Sequence, residues 1–118
     1  MEGRAIGGGC MLALLADELV MAEEAELSLP EIKHGIPTPV GYVIVAARYG
    51  MPMARRMVQA GEPARCPAAD AMGDRSKAVE RAKALAGLWG AAYVSNKKFI
   101  NAKIRADLQV AFEEADRL

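Results

Sequence analysis

The chain is poor in the residues that usually bind metals or form disulfide frameworks. It has two cysteines, Cys10 and Cys66, and one histidine, His34. Because metal sites need clustered cysteine, histidine or acidic ligands, we expect no metal site. Without a signal peptide or a cysteine-rich pattern, the cysteines are predicted to be reduced thiols in a cytoplasmic protein. Cys10 lies in an apolar segment, which favours a small structural thiol over a nucleophile paired with His34.

Charges and aromatic residues are also too few or too balanced for several classes of partner. The 15 basic and 15 acidic side chains cancel, so no basic surface is expected for nucleic acid or an anionic membrane. One tryptophan, three tyrosines and two phenylalanines offer little for stacking on bases. No run of about 18 apolar residues is present, so no segment is predicted to span a membrane.

Length and composition predict one modest globular domain. The 118 residues are 53% hydrophobic and 25% charged, which is ordinary for a globular protein. A chain of this size buries about 65% of its unfolded surface, enough for one small core. Residues 1–73 are predicted to form a core segment. Residues 74–118 are predicted to form a helical segment of the same domain that serves oligomerisation.

Hydrophobic spacing predicts more helix than strand. Short strands are predicted over residues 19–22 and 25–29, and the proline-rich residues 30–39 are predicted to be irregular. Helices are predicted over residues 8–16, 40–49, 52–60, 67–72 and 77–93, followed by a last helix capped by Ser95. The helix over residues 77–93 is expected to be capped by Asp74 or Ser76.

The most informative feature is the run of three glycines at residues 7–9, directly before an apolar, helix-compatible stretch. Glycine loses the most conformational freedom on folding, but it allows positive φ and close approach of a ligand. The first turn of a helix has unpaired N–H groups and a partial positive charge. The run therefore predicts a site for an oxygen that carries negative charge. The alternative is a tight strand-to-helix turn in which the glycines serve packing alone.

Residues 3–17 (Gly-Arg-Ala-Ile-Gly-Gly-Gly-Cys-Met-Leu-Ala-Leu-Leu-Ala-Asp), together with Pro30-Glu31-Ile32, Gly35-Ile36-Pro37 and Gly41, resemble the crotonase (enoyl-CoA hydratase/isomerase) superfamily. The resemblance is good over roughly residues 2–73. It implies an α/β fold, a partial spiral of β-β-α turns that is helix-dominated and has long C-terminal helices. It also implies a coenzyme A thioester as substrate, no tightly bound cofactor, and a homo-oligomer (a trimer, a dimer of trimers or a swapped dimer).

The resemblance also implies roles for particular residues. The amide of Gly8 would stabilise a thioester enolate, and Glu31 would act as an acid/base group. A carboxylate in an apolar segment should lose solvation, which suits proton transfer at carbon. The alternative for Glu31 is an exposed loop carboxylate, and the alternative for His34 is a solvated side chain. The residues predicted to bind substrate are Gly7, Gly9, Met11, Pro30, His34 and Pro39.

Two departures from the family pattern limit the expected chemistry. Met11 stands where the hydratases have their second glutamate, so one glutamate better suits an isomerase, a decarboxylase or another single-base member of the family. The resemblance is to a member truncated at its N-terminus, because the turns with the other N–H donor would precede residue 1. The strand after residues 68–71 is also expected to be deleted. The rival hypothesis is a non-catalytic oligomeric module derived from the same fold.

Overall fold

The computed structural model describes residues 1–65 and 69–118, so the predictions for Cys66 and for residues 67–68 lie outside the described residues. Helices dominate, and the strands are short. The elements in chain order are β1 (Arg4–Ile6), α1 (Gly8–Leu14), β2 (Val20–Met21), β3 (Glu26–Ser28), a 3₁₀ turn (Pro30–His34), α2 (Pro39–Tyr49), α3 (Met51–Ala54), a π-helical turn (Arg55–Gln59), β4 (Ala64–Arg65), β5 (Ala71–Met72), α4 (Arg75–Ala86) and α5 (Ala91–Arg117).

The strands form two small sheets. In the first sheet β3 is central, parallel to β1 and antiparallel to β4. In the second sheet β2 pairs in parallel with β5. In the chain, α1 and β2 lie between β1 and β3. They belong to the crossover connection that allows β1 and β3 to run parallel. The helix-dominated α/β architecture predicted from the sequence is confirmed.

The core lies between α1, the strands and α2. Polar and apolar residues alternate along β3. Helix α2 begins at Pro39 and is ended by Gly50, which has a φ of 82°. This proline-to-glycine arrangement is the expected one for a helix. The buried residues of the core cluster are Cys10, Leu14, Leu19, Met21, Ala25, Leu27, Leu29, Ile44, Val45, Ala54, Met57 and Ala64.

The long helix predicted over residues 77–93 is in fact two helices. Helix α4 ends at Ala86 and α5 begins at Ala91. Gly87 and Gly90 lie in the interruption, and glycine is among the weakest helix formers. The apolar spacing continues across the break, which is why the pattern alone predicted one element.

The caps of these helices are only partly as predicted. Asp74 caps α4, since its Oδ1 accepts hydrogen bonds from the backbone N–H groups of Ser76 at 2.9 Å and Lys77 at 3.3 Å. Ser95 was expected to cap the last helix, but it lies inside α5, which begins four residues earlier. The side chain of Ser95 therefore cannot satisfy the orphan amides of the first turn.

Two segments differ in type from the predictions. Residues 30–34 were expected to be irregular but form the 3₁₀ turn, because Pro30 occupies its first position, where a missing N–H costs nothing. Residues 71–72 were expected to be helical but pair with β2 as β5. The expectation that the strand after residues 68–71 is deleted is therefore wrong.

Ion pairs fix the C-terminal helices to the loop after α1. Asp17 Oδ2 accepts from the Tyr93 hydroxyl and from Lys97 Nζ, each at 2.9 Å. Arg81 donates to both oxygens of Glu18, at 2.8 and 2.6 Å. These pairs hold α4 and α5 against the core segment at the end of α1 opposite the glycines.

Arg48 of α2 fixes the same end of α1. Its Nη1 donates to the carbonyl oxygens of Leu14 at 2.9 Å and Ala16 at 2.8 Å, and its Nη2 pairs with Asp70. Asp70 also accepts from the backbone N–H of Leu19 at 2.7 Å. A cation at a helix C-terminus is favourable, because the terminal carbonyls carry partial negative charge.

Candidate active site

Gly7 forms the junction between β1 and α1. Its φ of 60° and ψ of −125° are strained for residues with a side chain. Its N–H donates to the Ser28 carbonyl of β3 at 2.9 Å, and its carbonyl accepts from Met11 N at 3.1 Å. The chain therefore leaves the sheet and enters the helix within one residue, and glycine is required there.

Gly8 and Gly9 are the first two residues of α1, and both are exposed. Their N–H groups belong to the first turn, so they have no acceptor within the helix. A Cβ built on either residue would meet no atom within 4 Å, and the first turn carries no acidic side chain. Because both residues are exposed and have no side chains, no side chain of their own shields these amides from an incoming anionic oxygen.

The Glu31 carboxylate lies against this helix N-terminus. It is on the 3₁₀ turn, and its Oε1 is 3.1 Å from the position that a Cβ would take on Gly7. Its Oε2 is buried and has no hydrogen-bond partner among the described residues. Buried polar atoms are normally satisfied, so an unpartnered carboxylate oxygen is typical of a place where a ligand group or water binds. The predicted acid/base residue and the predicted amide site are thus adjacent.

Cys10, in the same turn of α1, is fully buried and free. Burial, followed by the negative charge of Glu31, raises the pKa of this thiol to about 11, and the Ser28 N–H opposes the shift. The thiol is therefore neutral near pH 7. The interpretation of Cys10 as a buried structural thiol agrees with this position.

Met11 lies one helical turn after the glycines and packs against α2. Its Cε is 3.2 Å from the position that a Cβ would take on Gly41. Leu29 Cδ1 is 3.1 Å and Thr38 Cγ2 is 2.5 Å from the same position. Gly41 thus allows α1, the end of β3 and the start of α2 to meet closely, with Met11 between them.

The remaining predicted substrate residues are positioned differently. Pro30 and Pro39 are half-buried first residues of the 3₁₀ turn and of α2. Pro39 also lines an open groove of about 1800 Å³ between the end of α1, α2 and α5, which Gly8 and Glu31 do not line. His34 is exposed at the end of the 3₁₀ turn. The candidate site is therefore the glycines together with Glu31, and the large groove is a separate feature.

Sequence reasoning did not single out Ser28, Leu29 and Thr38 as neighbours of the site. Ser28 contributes backbone atoms to Gly7 and Cys10, whereas Leu29 and Thr38 pack around Gly41. Leu29 and Thr38 stand directly before Pro30 and Pro39, which is a signal in the sequence because the residue before a proline is restricted to extended conformations, whereas Ser28 has no such signal.

Within residues 1–65 and 69–118, no helix is long and apolar enough to cross a membrane. Across the same residues, no group of three or more His, Cys, Asp and Glu side chains is placed to hold a metal ion.

The sequence is similar to known enoyl-CoA hydratases. The sequence model of the family described as enoyl-CoA hydratase/isomerase matches residues 1–117. The 2,3-dehydroadipyl-CoA hydratase of Escherichia coli is 43% identical over 63 residues, which are 52% of this chain and 25% of that protein. The mitochondrial enoyl-CoA hydratase of Pongo abelii is 33% identical over 116 residues, which are 96% of this chain and 40% of that protein.

Solved structures show the same fold. ThnE from S. clavuligerus superposes with a TM-score of 0.83 at 25% identity, covering 99% of this chain and 63% of that one. An enoyl-CoA hydratase from Mycobacterium paratuberculosis gives a TM-score of 0.78 at 22% identity, covering 98% and 58%. The chain spans less than half the length of the curated relatives described above. From the family match over nearly all of its residues, the chain belongs to the enoyl-CoA hydratase/isomerase family.

Proposed function

We propose that the chain acts on acyl-CoA thioesters through an enolate. The N–H of Gly8 polarises the thioester carbonyl, and Glu31 moves a proton at the α- or γ-carbon. The observation that carries this proposal is the Glu31 carboxylate at the N-terminus of α1, with Oε1 against Gly7 and Oε2 buried without a partner.

The proposed role of Gly8 depends on negative charge that develops on the thioester oxygen. When a proton leaves the α-carbon, that oxygen becomes an enolate, and an N–H fixed beforehand stabilises it without reorganisation. One such donor is worth about 2.7–4 kcal/mol of barrier lowering. The partial positive charge of the α1 N-terminus acts in the same direction.

The proposed role of Glu31 depends on its unpartnered oxygen. A carboxylate that accepts no protein hydrogen bond at Oε2 is available to take a proton from carbon, provided that the carbon lies within hydrogen-bond reach. Met11, with an apolar thioether, cannot serve as a second base to activate water. We therefore favour isomerisation or a lyase reaction such as decarboxylation over hydration.

The substrate class and assembly are part of the same proposal. Relatives named as enoyl-CoA and 2,3-dehydroadipyl-CoA hydratases support a coenzyme A thioester as substrate. That no cofactor is tightly bound apart from this substrate stays a prediction. We also propose that the chain works as a homo-oligomer, either a trimer, a dimer of trimers or a swapped dimer. The predicted use of residues 74–118 in that assembly remains part of the proposal.

The test is exchange of the α-protons of an acyl-CoA in heavy water, followed by NMR. Glu31→Gln keeps the size of the side chain and removes the base, so we expect exchange to fall at least about a hundredfold. Glu24→Gln, which changes an exposed loop carboxylate, is the matched control and should exchange at the wild-type rate. Equal exchange by the wild type and Glu31→Gln would remove Glu31 from the mechanism.

A second candidate function is a non-catalytic oligomeric module. Large apolar side chains on α5 favour it, because Phe99 is 85% exposed and Ile100 is 72% exposed. Calorimetric titration with butyryl-CoA separates the two candidates. Binding heat that fits a micromolar dissociation constant supports the enzyme. A titration without binding heat, for a protein that forms a stable oligomer, supports the non-catalytic module.

A further inference from the structure

Helix α1 connects the proposed reaction site to an apolar barrier one turn away. Gly7, beside Glu31, is followed on the same helix face by Met11, because residues four positions apart lie one above the other. One helical turn advances about 5.4 Å along the axis. Met11 therefore lies about one turn beyond the place where the proposed oxyanion and the Glu31 carboxylate meet.

The space between Met11 and Gly41 of α2 is filled by the protein. The Met11 Cε, Leu29 Cδ1 and Thr38 Cγ2 all lie within 3.2 Å of the position of a Cβ on Gly41, so even one methyl group does not fit between them. Leu29 is fully buried and Met11 is half-buried. These four residues, which we call the Met11 plug, join α1 to α2 and to the end of β3.

An acyl group bound with its carbonyl at Gly8 and its α-carbon at Glu31 has two routes for its tail. It can turn outward to solvent, or it can continue along α1 toward Met11. The second route ends at the Met11 plug after about one helical turn. From this geometry, and resting on the proposed function, we infer that Met11 closes the route along α1, so that acyl groups longer than butyryl gain no further buried apolar contact in the site.

The inference predicts how affinity depends on acyl length. Each methylene that becomes buried on binding strengthens binding about fourfold, from roughly 0.8 kcal/mol per methylene. Beyond a butyryl group the wild type has no apolar space to offer, so added methylenes stay in water and affinity should be flat or fall. Shortening Met11 to alanine opens that space, and affinity should then rise with length.

The experiment is calorimetric titration with butyryl-, hexanoyl- and octanoyl-CoA, which are saturated thioesters and give a binding readout without turnover. For the wild type we expect octanoyl-CoA to bind within about twofold of butyryl-CoA or more weakly. For Met11→Ala we expect octanoyl-CoA to bind at least about tenfold more tightly than butyryl-CoA, as two or more buried methylenes require. Met11→Leu, which conserves apolar volume, should behave as the wild type.

Met53→Ala is the matched control, because Met53 is also a half-buried methionine packed on the core but lies on α3. It should show the wild-type dependence on length. A wild type that gains about fourfold per methylene overturns the inference without any variant, and so does a folded Met11→Ala that keeps the wild-type pattern. Either result leaves the proposed function intact, whereas a wild type that binds none of the three thioesters overturns both.

Discussion

Replacing Gly7 and Gly8 by alanine, one at a time, tests the construction of the strand-to-helix junction. The two residues are neighbours and have the same chemistry, but their environments are opposite. Gly7 has a φ of 60°, and a Cβ on it would lie 3.1 Å from Glu31 Oε1. Gly8 is helical without positive φ, and a Cβ on it would meet no atom within 4 Å.

The expected changes in the free energy of unfolding have opposite signs. Gly7→Ala forces a side chain into a conformation that costs about 1–3 kcal/mol, and Glu31 must shift by a few tenths of an ångström. Gly8→Ala places a better helix former in open space and should stabilise the protein by about 0.5–1 kcal/mol. The two variants should therefore differ by roughly 2–4 kcal/mol.

Urea denaturation followed by circular dichroism measures this difference. With a slope of about 1–3 kcal/mol per molar urea for a small domain, the midpoints should differ by about 0.7 M or more. Gly8→Ala keeps its backbone N–H and should also keep acyl-CoA binding, while Gly7→Ala displaces the Glu31 carboxylate. If Gly7→Ala is as stable as Gly8→Ala, the account of the junction is wrong.

Three further predictions concern other parts of the fold. Hydrogen bonds from Lys97, and to a smaller extent from Tyr93, lower the pKa of Asp17. The ionised Asp17 therefore stabilises the fold above the ordinary carboxyl pKa of about 4, and this stabilisation is lost as the pH falls through the lowered pKa of Asp17. The wild type should therefore have a higher urea midpoint than Asp17→Asn at neutral pH, and the two midpoints should converge in acid. A difference between the midpoints that stays the same at every pH would refute this. Arg48→Met removes charge-assisted hydrogen bonds to two carbonyl oxygens at the C-terminal end of α1, so the free energy of unfolding should fall by about 2–4 kcal/mol. The control Lys98→Met changes an exposed position and should leave the free energy of unfolding almost unchanged. In a Cys66→Ser background, the buried Cys10, with a pKa of about 11, should react with a disulfide reagent only as fast as the protein opens, and reaction at the rate of a free thiol would show that it is accessible.

Local sequence signals predicted the elements near the site well. Helix α2 has a proline at its first position and a glycine after its last, and in β3 the apolar Leu27 stands between polar residues, which is typical of a strand. The family resemblance supplied the prediction that Glu31, which is 24 positions after Gly7, acts together with the glycines. The structure places that carboxylate against Gly7, as the hypothesis requires, although the chemistry remains a proposal.

The parts that could not be predicted depend on contacts between distant residues. Strands β4 and β5 have two residues each, and their partners lie far away in the chain, so no local pattern identifies them. The break between α4 and α5 occurs inside a continuous apolar spacing. Met11 packs onto Gly41 because α1 and α2 approach each other closely. The spacing of residues in the sequence does not predict this approach.

The shape of α5 has a consequence for how the molecule opens. This helix is 27 residues long, and Ala111 is its one fully enclosed position. This helix packs mainly on α2, but most of its side chains are exposed and its Lys97–Asp17 ion pair with the core segment is partly exposed, so it should detach at lower free energy than the interlocked helices and strands beneath it. Backbone amides along α5 should consequently take up deuterium well before those of α2, so that the molecule loosens from its C-terminal end while the glycine-rich junction still holds its shape.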